Sequence, residues 1–174
     1  MRAVLDACVL FPPVMREMLL GAAVLGGFAP VWSERILEEW ARATRRLPEA
    51  AETAARAEIA LLRARFPEAE VAVPEELVAG LSLPDADDRH VLAAAIAGGA
   101  DTLVTLNRAD FPTRTLARHG ILLREPDGLL VELLHEGIDL APVAEAARRG
   151  RAAGVRAVLK RAGLPRLGKA LGTG

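Results

Sequence analysis

Short apolar runs alternate with longer amphipathic segments along this chain. Runs of the length of buried strands lie at residues 3–5, 71–73, 102–106 and 121–123. Helices are predicted at residues 14–25, 34–46, 48–65, 86–97, 113–118, 127–135, 142–149 and 155–162. Strands that alternate with helices form a parallel sheet that is covered on both faces. The pattern therefore predicts an α/β fold of three layers, α/β/α, with a short parallel sheet.

Four acidic residues lie at the ends of these elements or beside their buried faces: Asp6, Glu39, Asp88 and Asp110. Asp6 follows the first strand and Asp110 follows the strand at 102–106, and parallel sheets bind ligands beyond the carboxyl ends of their strands. A carboxylate directly after a buried strand is costly unless it is paired or binds a metal, and no helix is predicted to start immediately after Asp6. Because Mg²⁺ and Mn²⁺ prefer oxygen ligands, the four acids indicate a site for a hard divalent cation.

Helical phase distinguishes Glu39 from the other acids of its helix, for which Ser33 is the predicted N-cap. Glu39 lies at the rim of the apolar face that includes Trp40. Glu38 and Glu34 are predicted to be solvated. We therefore expect Glu39 alone to reach the site from this helix.

The same reasoning applies to the helix predicted at 86–97. Asp88 falls near the centre of its apolar face, whereas Asp87 lies roughly 100° away and His90 is predicted to point to the opposite side, into solvent. Asp85 is interpreted as the N-cap of this helix, with an auxiliary carboxylate role as the alternative. Because Asp88 places a charge on the buried face of the helix, it needs a ligand.

Each candidate also has a purely structural interpretation. Asp6 could be a turn or capping residue, and Asp110 could cap the helix that follows Pro112. Thr105 and Asn107 could hold a bound water or a phosphate oxygen, or could belong to an ordinary loop. Two arginines adjoin candidate ligands and could either grip a phosphate or neutralise the carboxylates: Arg89 and Arg108. The single cysteine, Cys8, is interpreted as a small buried hydrophobe.

The formal net charge of −1 conceals an uneven distribution. Residues 142–174 carry eight basic side chains and one acid, or +7, so the rest of the chain carries −8. We expect residues 1–138 to form the catalytic domain and residues 139–174 to form a basic helical extension. The extension is predicted to bind RNA through Arg148, Arg149 and Arg151, and a solvated charged helix face is the alternative.

The composition also restricts the compartment. One cysteine excludes an internal disulfide, and no Cys/His cluster has zinc-site spacing. The first apolar run is broken by Asp6, so no signal peptide is predicted, and the longest charge-poor stretch, residues 18–32, is shorter than the roughly 20 residues of a membrane helix. The expectation is a soluble, cytoplasmic protein that is not bound to a membrane.

Four segments resemble the PIN-domain ribonucleases of the VapC toxin type, in order and at suitable spacing. They are Val4-Leu5-Asp6-Ala7, residues 33–37 leading into Glu39, residues 85–95 with the sequence DADDRHVLAAA, and residues 103–112 with the sequence LVTLNRADFP. The resemblance covers residues 1 to about 125. It implies a catalytic and metal-binding set of Asp6, Glu39, Asp88 and Asp110, assisted by Thr105 and Asn107.

The resemblance further implies RNA cleavage that depends on Mg²⁺ or Mn²⁺, restraint by a small antitoxin protein, and possible assembly as a homodimer. One alternative is a catalytically silent PIN-like module that binds RNA or protein. Another is a haloacid-dehalogenase-like phosphatase with Asp6 as the nucleophile. That chemistry needs a second acid two residues further on, where this chain has Cys8.

Overall fold

The structure is a computed structural model that describes residues 1–48 and 50–172. A parallel sheet has four strands, β1 (Arg2–Leu5), β2 (Ala29–Val31), β3 (Thr102–Val104) and β4 (Leu122–Arg124), in the spatial order β2-β1-β3-β4. The described helices of the first half are α1 (Ala7–Leu10), α2 (Pro13–Val24), α3 (Glu34–Ala43), α4 (Ala51–Arg65), α5 (Glu75–Ala79) and α6 (Arg89–Ala97). Those of the second half are α7 (Thr113–Ala117), α8 (Pro126–His135), α9 (Ala141–Arg148), α10 (Val155–Arg161) and α11 (Pro165–Leu171). The predicted three-layer α/β/α class is confirmed.

Strand β1 lies inside the sheet, between β2 and β3, and its apolar residues are buried on both faces. Val4 is fully buried and pairs with Val31 on one side and with Leu103 on the other, both in parallel register. The next pair toward the carboxyl ends joins Leu5 to Val104. This register brings the chain segments that follow β1 and β3 to the same edge of the sheet.

The chain divides into two compact units. The first contains Met1–Phe11 and the described residues of Ala29–Leu123, and therefore holds nearly the whole sheet. The second contains Pro12–Phe28 and the described residues from Arg124 onward. Neither limit coincides with the division expected after residue 138, which stays a prediction.

The second unit is helical, and its C-terminal helix is held by a side chain of α8. The backbone N–H groups of Arg166 and Leu167 each donate to the carboxylate of Asp127 at 2.9 Å. A carboxylate satisfies the free N–H groups of a helix start well. Helix α11, which was not predicted as a separate element, thus packs against α8 and α10.

Several elements of the structure differ from the prediction. Residues 71–73 do not form a strand, since the neighbouring Glu70 makes only an isolated parallel bridge to Trp32. The edge strand that pairs with β1 is β2, which was not predicted and whose middle residue is Pro30. Helix α6 begins at Arg89, three residues later than predicted, and α1 begins directly after Asp6, where no helix was expected.

Within the part of the chain that the structure describes, no helix combines the length and the apolar character that crossing a membrane requires.

Candidate functional site

The carboxylate of Asp6 lies at the carboxyl edge of the sheet, between β1 and β3. Its backbone N–H donates to the Val104 carbonyl at 3.1 Å, and the Thr105 hydroxyl donates to its Oδ2 at 2.6 Å. Both contacts follow from the register, because Asp6 and Thr105 come directly after the paired residues Leu5 and Val104. Asp6 occupies the N-cap position of α1, yet its side chain makes no capping hydrogen bond. The turn-residue interpretation therefore does not account for the direction of this side chain.

The Cys8 thiol completes a small network around Asp6. Its Sγ donates to Asp6 Oδ2 at 3.2 Å, lies 3.4 Å from Thr105 Oγ1 and accepts the Leu106 N–H at 3.3 Å. Burial, with the neighbouring Asp6 charge, raises the thiol pKa to about 12. Cys8 is therefore a neutral hydrogen-bond partner and more than the packing residue predicted from the sequence.

Asp88 lies next to the other acids of this edge. Burial, followed by the charges of Asp6, Asp110 and Asp85, raises its pKa from 3.8 to about 6, while His90 acts in the opposite direction. Such coupling requires these carboxylates to share one region, since exposed charges far apart are screened by water. The charges of Asp6 and Asp110 therefore act on Asp88, and the use of these three acids as one metal site stays a prediction.

Local hydrogen bonds define the two loops that carry Asp88 and Asp110. Asp85 does not cap α6, since Oδ1 accepts the Asp87 N–H at 2.8 Å and closes a turn ahead of Asp88. Asp110 lies in a short 3₁₀ turn, Arg108–Asp110, and the N-cap position of α7 is Pro112. The alternative in which Asp110 caps the following helix is therefore wrong. The Asn107 N–H donates to Thr105 Oγ1 at 2.9 Å, and the Asn107 side chain is exposed.

Glu39 contacts α6 from α3, where Ser33 is the N-cap as predicted and accepts the Ile36 N–H. Glu39 Oε1 lies 2.9 Å from His90 Nε2. His90 is buried with 3% of its surface exposed, so the prediction that it points into solvent is wrong. Residues 90–95 of α6 are all buried, so the helix is covered on every side at this point. A helix that is apolar all round has no solvent face on which His90 could lie.

Glu38 was predicted to be solvated, and it is instead held in an ion-pair network. Its carboxylate pairs with Arg42 at 2.9 Å and with Arg56 at 3.0 Å, and these guanidinium groups lower its pKa. Glu38 and Glu39 are similarly exposed, at 32% and 38% of their side chains. The two carboxylates differ in direction, because Glu39 contacts His90 of α6, whereas Glu38 contacts Arg42 and Arg56.

The arginines predicted to bind RNA have different surroundings. Arg89 is half-buried, and its Nε has no hydrogen-bond partner among the described residues, whereas Arg108 is exposed. Arg148 pairs with Glu145 at 2.9 Å. Arg151 lies 3.9 Å from Glu17 and donates to the Ala147 carbonyl, and Arg149 is exposed.

Three of the acids differ from Glu39, which contacts Arg35 and His90, in their basic partners. In residues 1–48 and 50–172, the structure forms no ion pair between a basic side chain and Asp6, Asp88 or Asp110. The same residues contain no group of three or more His, Cys, Asp or Glu side chains close enough to hold a metal ion as they stand. The donor chemistry fits a hard cation, since the three carboxylates and the Thr105 hydroxyl are all oxygen donors.

Comparison with known proteins identifies one family. A family model described as PIN domain matches residues 2–109, which include Asp6, Glu39 and Asp88 and end one residue before Asp110. No curated protein and no solved structure matches the chain. The match covers more than half of the 174 residues and includes β1, β2, β3 and the helices that carry the site. The chain therefore belongs to the PIN domain family, whose fold is nuclease-like.

Proposed function

We propose that this protein is a metal-dependent endoribonuclease that hydrolyses RNA phosphodiester bonds with Mg²⁺ or Mn²⁺. The observation that carries the proposal is that the charges of Asp6 and Asp110 act on Asp88, while none of these three acids forms an ion pair with a basic side chain of residues 1–48 and 50–172. Uncompensated carboxylates in a partly buried region are unfavourable by themselves, and a divalent cation would relieve their repulsion.

Asp6, Glu39, Asp88 and Asp110 would hold the metal. When bound, Mg²⁺ or Mn²⁺ lowers the pKa of a coordinated water and neutralises charge on the scissile phosphate. In that reaction a water oxygen attacks phosphorus, the bond to the leaving ribose oxygen breaks, and that oxygen takes up a proton. No side-chain nucleophile is needed, and the protonated Cys8 thiol is poorly suited to be one.

The other residues of the site orient these carboxylates and the RNA. Thr105 and Cys8 both bind Asp6 Oδ2, which leaves Oδ1 for a ligand. Arg89, whose Nε has no partner in the described chain, is placed beside Asp88 and can donate to a phosphate oxygen. Arg108 and the exposed Asn107 lie on the loop that leads to Asp110.

The basic residues of the second unit would form a surface of their own for RNA. The three originally predicted, Arg148, Arg149 and Arg151, are not equivalent, because Arg148 and Arg151 contact acids of their own unit. Arg149 and five further basic residues have no ion pair in the described part of the chain: Arg156, Lys160, Arg161, Arg166 and Lys169. Unneutralised basic side chains suit the phosphate backbone of RNA.

We further propose that the protein is the toxin of a toxin–antitoxin pair of the VapC type, restrained by a small antitoxin protein. The support is the resemblance of residues 85–95 and 103–112 to that group of PIN domains. A reading frame for a small antitoxin-like protein beside this gene would support the role. Its absence, together with unimpaired growth when the active protein is expressed alone, would contradict it.

The ribonuclease proposal is tested with purified protein and a labelled RNA in Mg²⁺ or Mn²⁺, with EDTA as the control. Asp6→Asn and Asp110→Asn should each lower the cleavage rate on the order of a hundredfold or more. Glu39→Gln should impair cleavage and Glu38→Gln should not, because only Glu39 faces α6. A folded wild-type protein that binds RNA and leaves it intact with both metals would favour the alternative, a catalytically silent binding module.

A further inference from the structure

His90 is a polar side chain enclosed in the first turn of α6. Only 3% of its surface is exposed, and its Nδ1 has no hydrogen-bond partner among the described residues. Buried polar groups are almost always hydrogen-bonded, so the one polar contact that His90 makes within the described residues determines how its ring is held. That contact is the one between Nε2 and Glu39 Oε1, at 2.9 Å.

The two oxygens of the Glu39 carboxylate are used unequally. Oε1 contacts His90 Nε2 at 2.9 Å and Arg35 Nε at 3.4 Å. Oε2 has no partner in the part of the chain that the structure describes. The Arg35 side chain is 54% exposed, and its longer contact is of the kind that contributes little. The rigid, buried imidazole is therefore the group that sets the carboxylate direction.

We propose that His90 is a positioning residue that donates its Nε2–H to Glu39 Oε1 and thereby presents Glu39 Oε2 to the divalent cation. The inference rests on the function proposed above and assigns a role to a residue outside the acidic set. The contact uses Nε2, and Nδ1 has no hydrogen-bond partner among the described residues, so the ring is held through Nε2. Partners that orient a metal-binding side chain typically change metal affinity by about 10–100-fold when removed.

The position of His90 in the chain explains why one residue can serve this purpose. It follows Asp88 by two residues, at the start of the helix whose N-cap is Asp88. Glu39 belongs to α3, which packs against α6. The contact between His90 and Glu39 therefore fixes the direction of the Glu39 carboxylate relative to α6, the helix whose N-cap is Asp88.

The test measures Mn²⁺ binding directly, by the electron paramagnetic resonance signal of free Mn²⁺, in the full-length protein. Gln at position 90 carries an amide N–H that can reach the place of Nε2, whereas Asn is too short and Leu has no donor. We expect His90→Leu and His90→Asn to raise the Mn²⁺ dissociation constant about tenfold or more, and His90→Gln to raise it less than about threefold. The KM for RNA at saturating Mn²⁺ should not change. Circular dichroism establishes that each variant is folded.

A double-mutant cycle separates positioning from general stability. In a Glu39→Gln background, His90→Asn should change the Mn²⁺ dissociation constant by less than about twofold, because its effect acts through Glu39. Equal Mn²⁺ affinity of folded His90→Asn and His90→Gln would overturn the proposal, as would full additivity with Glu39→Gln. If His90→Leu does not fold, the Asn and Gln pair decides the question. Wild-type protein without Mn²⁺ binding would refute the proposed metal-dependent function and this inference with it.

Discussion

Neutralising Asp88 should stabilise the metal-free protein while it removes activity. Asp88→Asn replaces the carboxylate by a neutral side chain of nearly the same shape. In the folded protein the pKa of Asp88 is raised to about 6 by burial and by the charges of Asp6, Asp110 and Asp85. The ionised form is thus disfavoured by folding, and the variant escapes this cost.

The size of the effect follows from the pKa. A change from 3.8 to about 6 corresponds to at most about 3 kcal/mol, at about 1.4 kcal/mol per pKa unit. Asp88 is only half-buried, so water screens part of this cost, and we expect about 1–2 kcal/mol at pH 8. For a chain of this length that raises Tm by about 2–8 °C.

The sign of the pH dependence is fixed by linkage. Because the folded pKa exceeds the unfolded one, the cost of the charge is absent below pH 3.8, grows between pH 3.8 and about 6, and is fully present above that. The Tm difference between Asp88→Asn and wild type should therefore be small at pH 4 and largest at pH 7–8.

Thermal unfolding followed by circular dichroism in EDTA, at pH 4, 6 and 8, measures this difference. The exposed neighbour Asp87 supplies the control, since Asp87→Asn should leave the Tm difference from wild type close to zero at each pH. Added Mn²⁺ should raise the Tm of wild type more than that of Asp88→Asn. A variant that is less stable than wild type at pH 8, or a difference that does not vary with pH, would refute the electrostatic reasoning.

Three further predictions concern the neighbours of the acids and the basic surface. Thr105→Val should lower the free energy of unfolding in urea by about 1–3 kcal/mol, because Asp6 loses a buried hydrogen-bond donor. Thr102→Val is the control and should lower it less, because the Thr102 hydroxyl contacts the exposed Asp101. Equal losses in the two variants would contradict this reasoning. Because the Cys8 pKa is about 12, iodoacetamide at pH 8 should alkylate the folded protein at least about 100-fold more slowly than the urea-unfolded protein, and similar rates would show an accessible thiolate. In an Asp6→Asn background, replacing Arg149, Arg156 and Lys160 together by Gln should flatten the dependence of log RNA affinity on log salt by roughly 0.7 per lost contact. The ion-paired Arg42, Arg45 and Arg63 provide the control triple, and identical slopes for the two triples would remove the second unit from the RNA site.

The sequence was sufficient where a local pattern and a packing requirement agree. The apolar run at residues 3–5 is β1, the Ser33 cap starts α3, and the helical phase that distinguished Glu39 from Glu38 agrees with their different contacts. These features depend on the alternation or period of a few residues. Pairing of β1 with β3 then brings Asp6 and Thr105 together as the carboxyl-edge rule predicts.

The errors arise where tertiary contacts override local pattern. Strand β2 contains Pro30, which discourages a strand prediction, but β2 is at the edge of the sheet, where a missing N–H is tolerated. Helix α1 has only four residues, too few for a period to be visible. His90 was placed in solvent because one apolar face was assumed for α6, whereas α3 covers the side on which His90 lies.

The site residues themselves could be predicted only as a set. Single acids at the ends of elements are common, and the spacing along the chain does not show which of them influence one another. The structure shows which acids act on Asp88, because the charges of Asp6, Asp110 and Asp85 all raise its pKa. The interaction of His90 with Glu39 could not be inferred from the sequence, since it depends on the packing of α3 against α6.

The central claim is that the acids at the sheet edge act with a divalent cation to hydrolyse RNA with water. Mass analysis of the RNA products after a single turnover, in Mn²⁺ and in EDTA, tests this claim most directly. The account predicts fragments that end in a linear monophosphate and a hydroxyl in Mn²⁺, and intact RNA in EDTA. Cleavage that persists in EDTA, or products that carry a 2′,3′-cyclic phosphate from attack by the ribose hydroxyl, would contradict it.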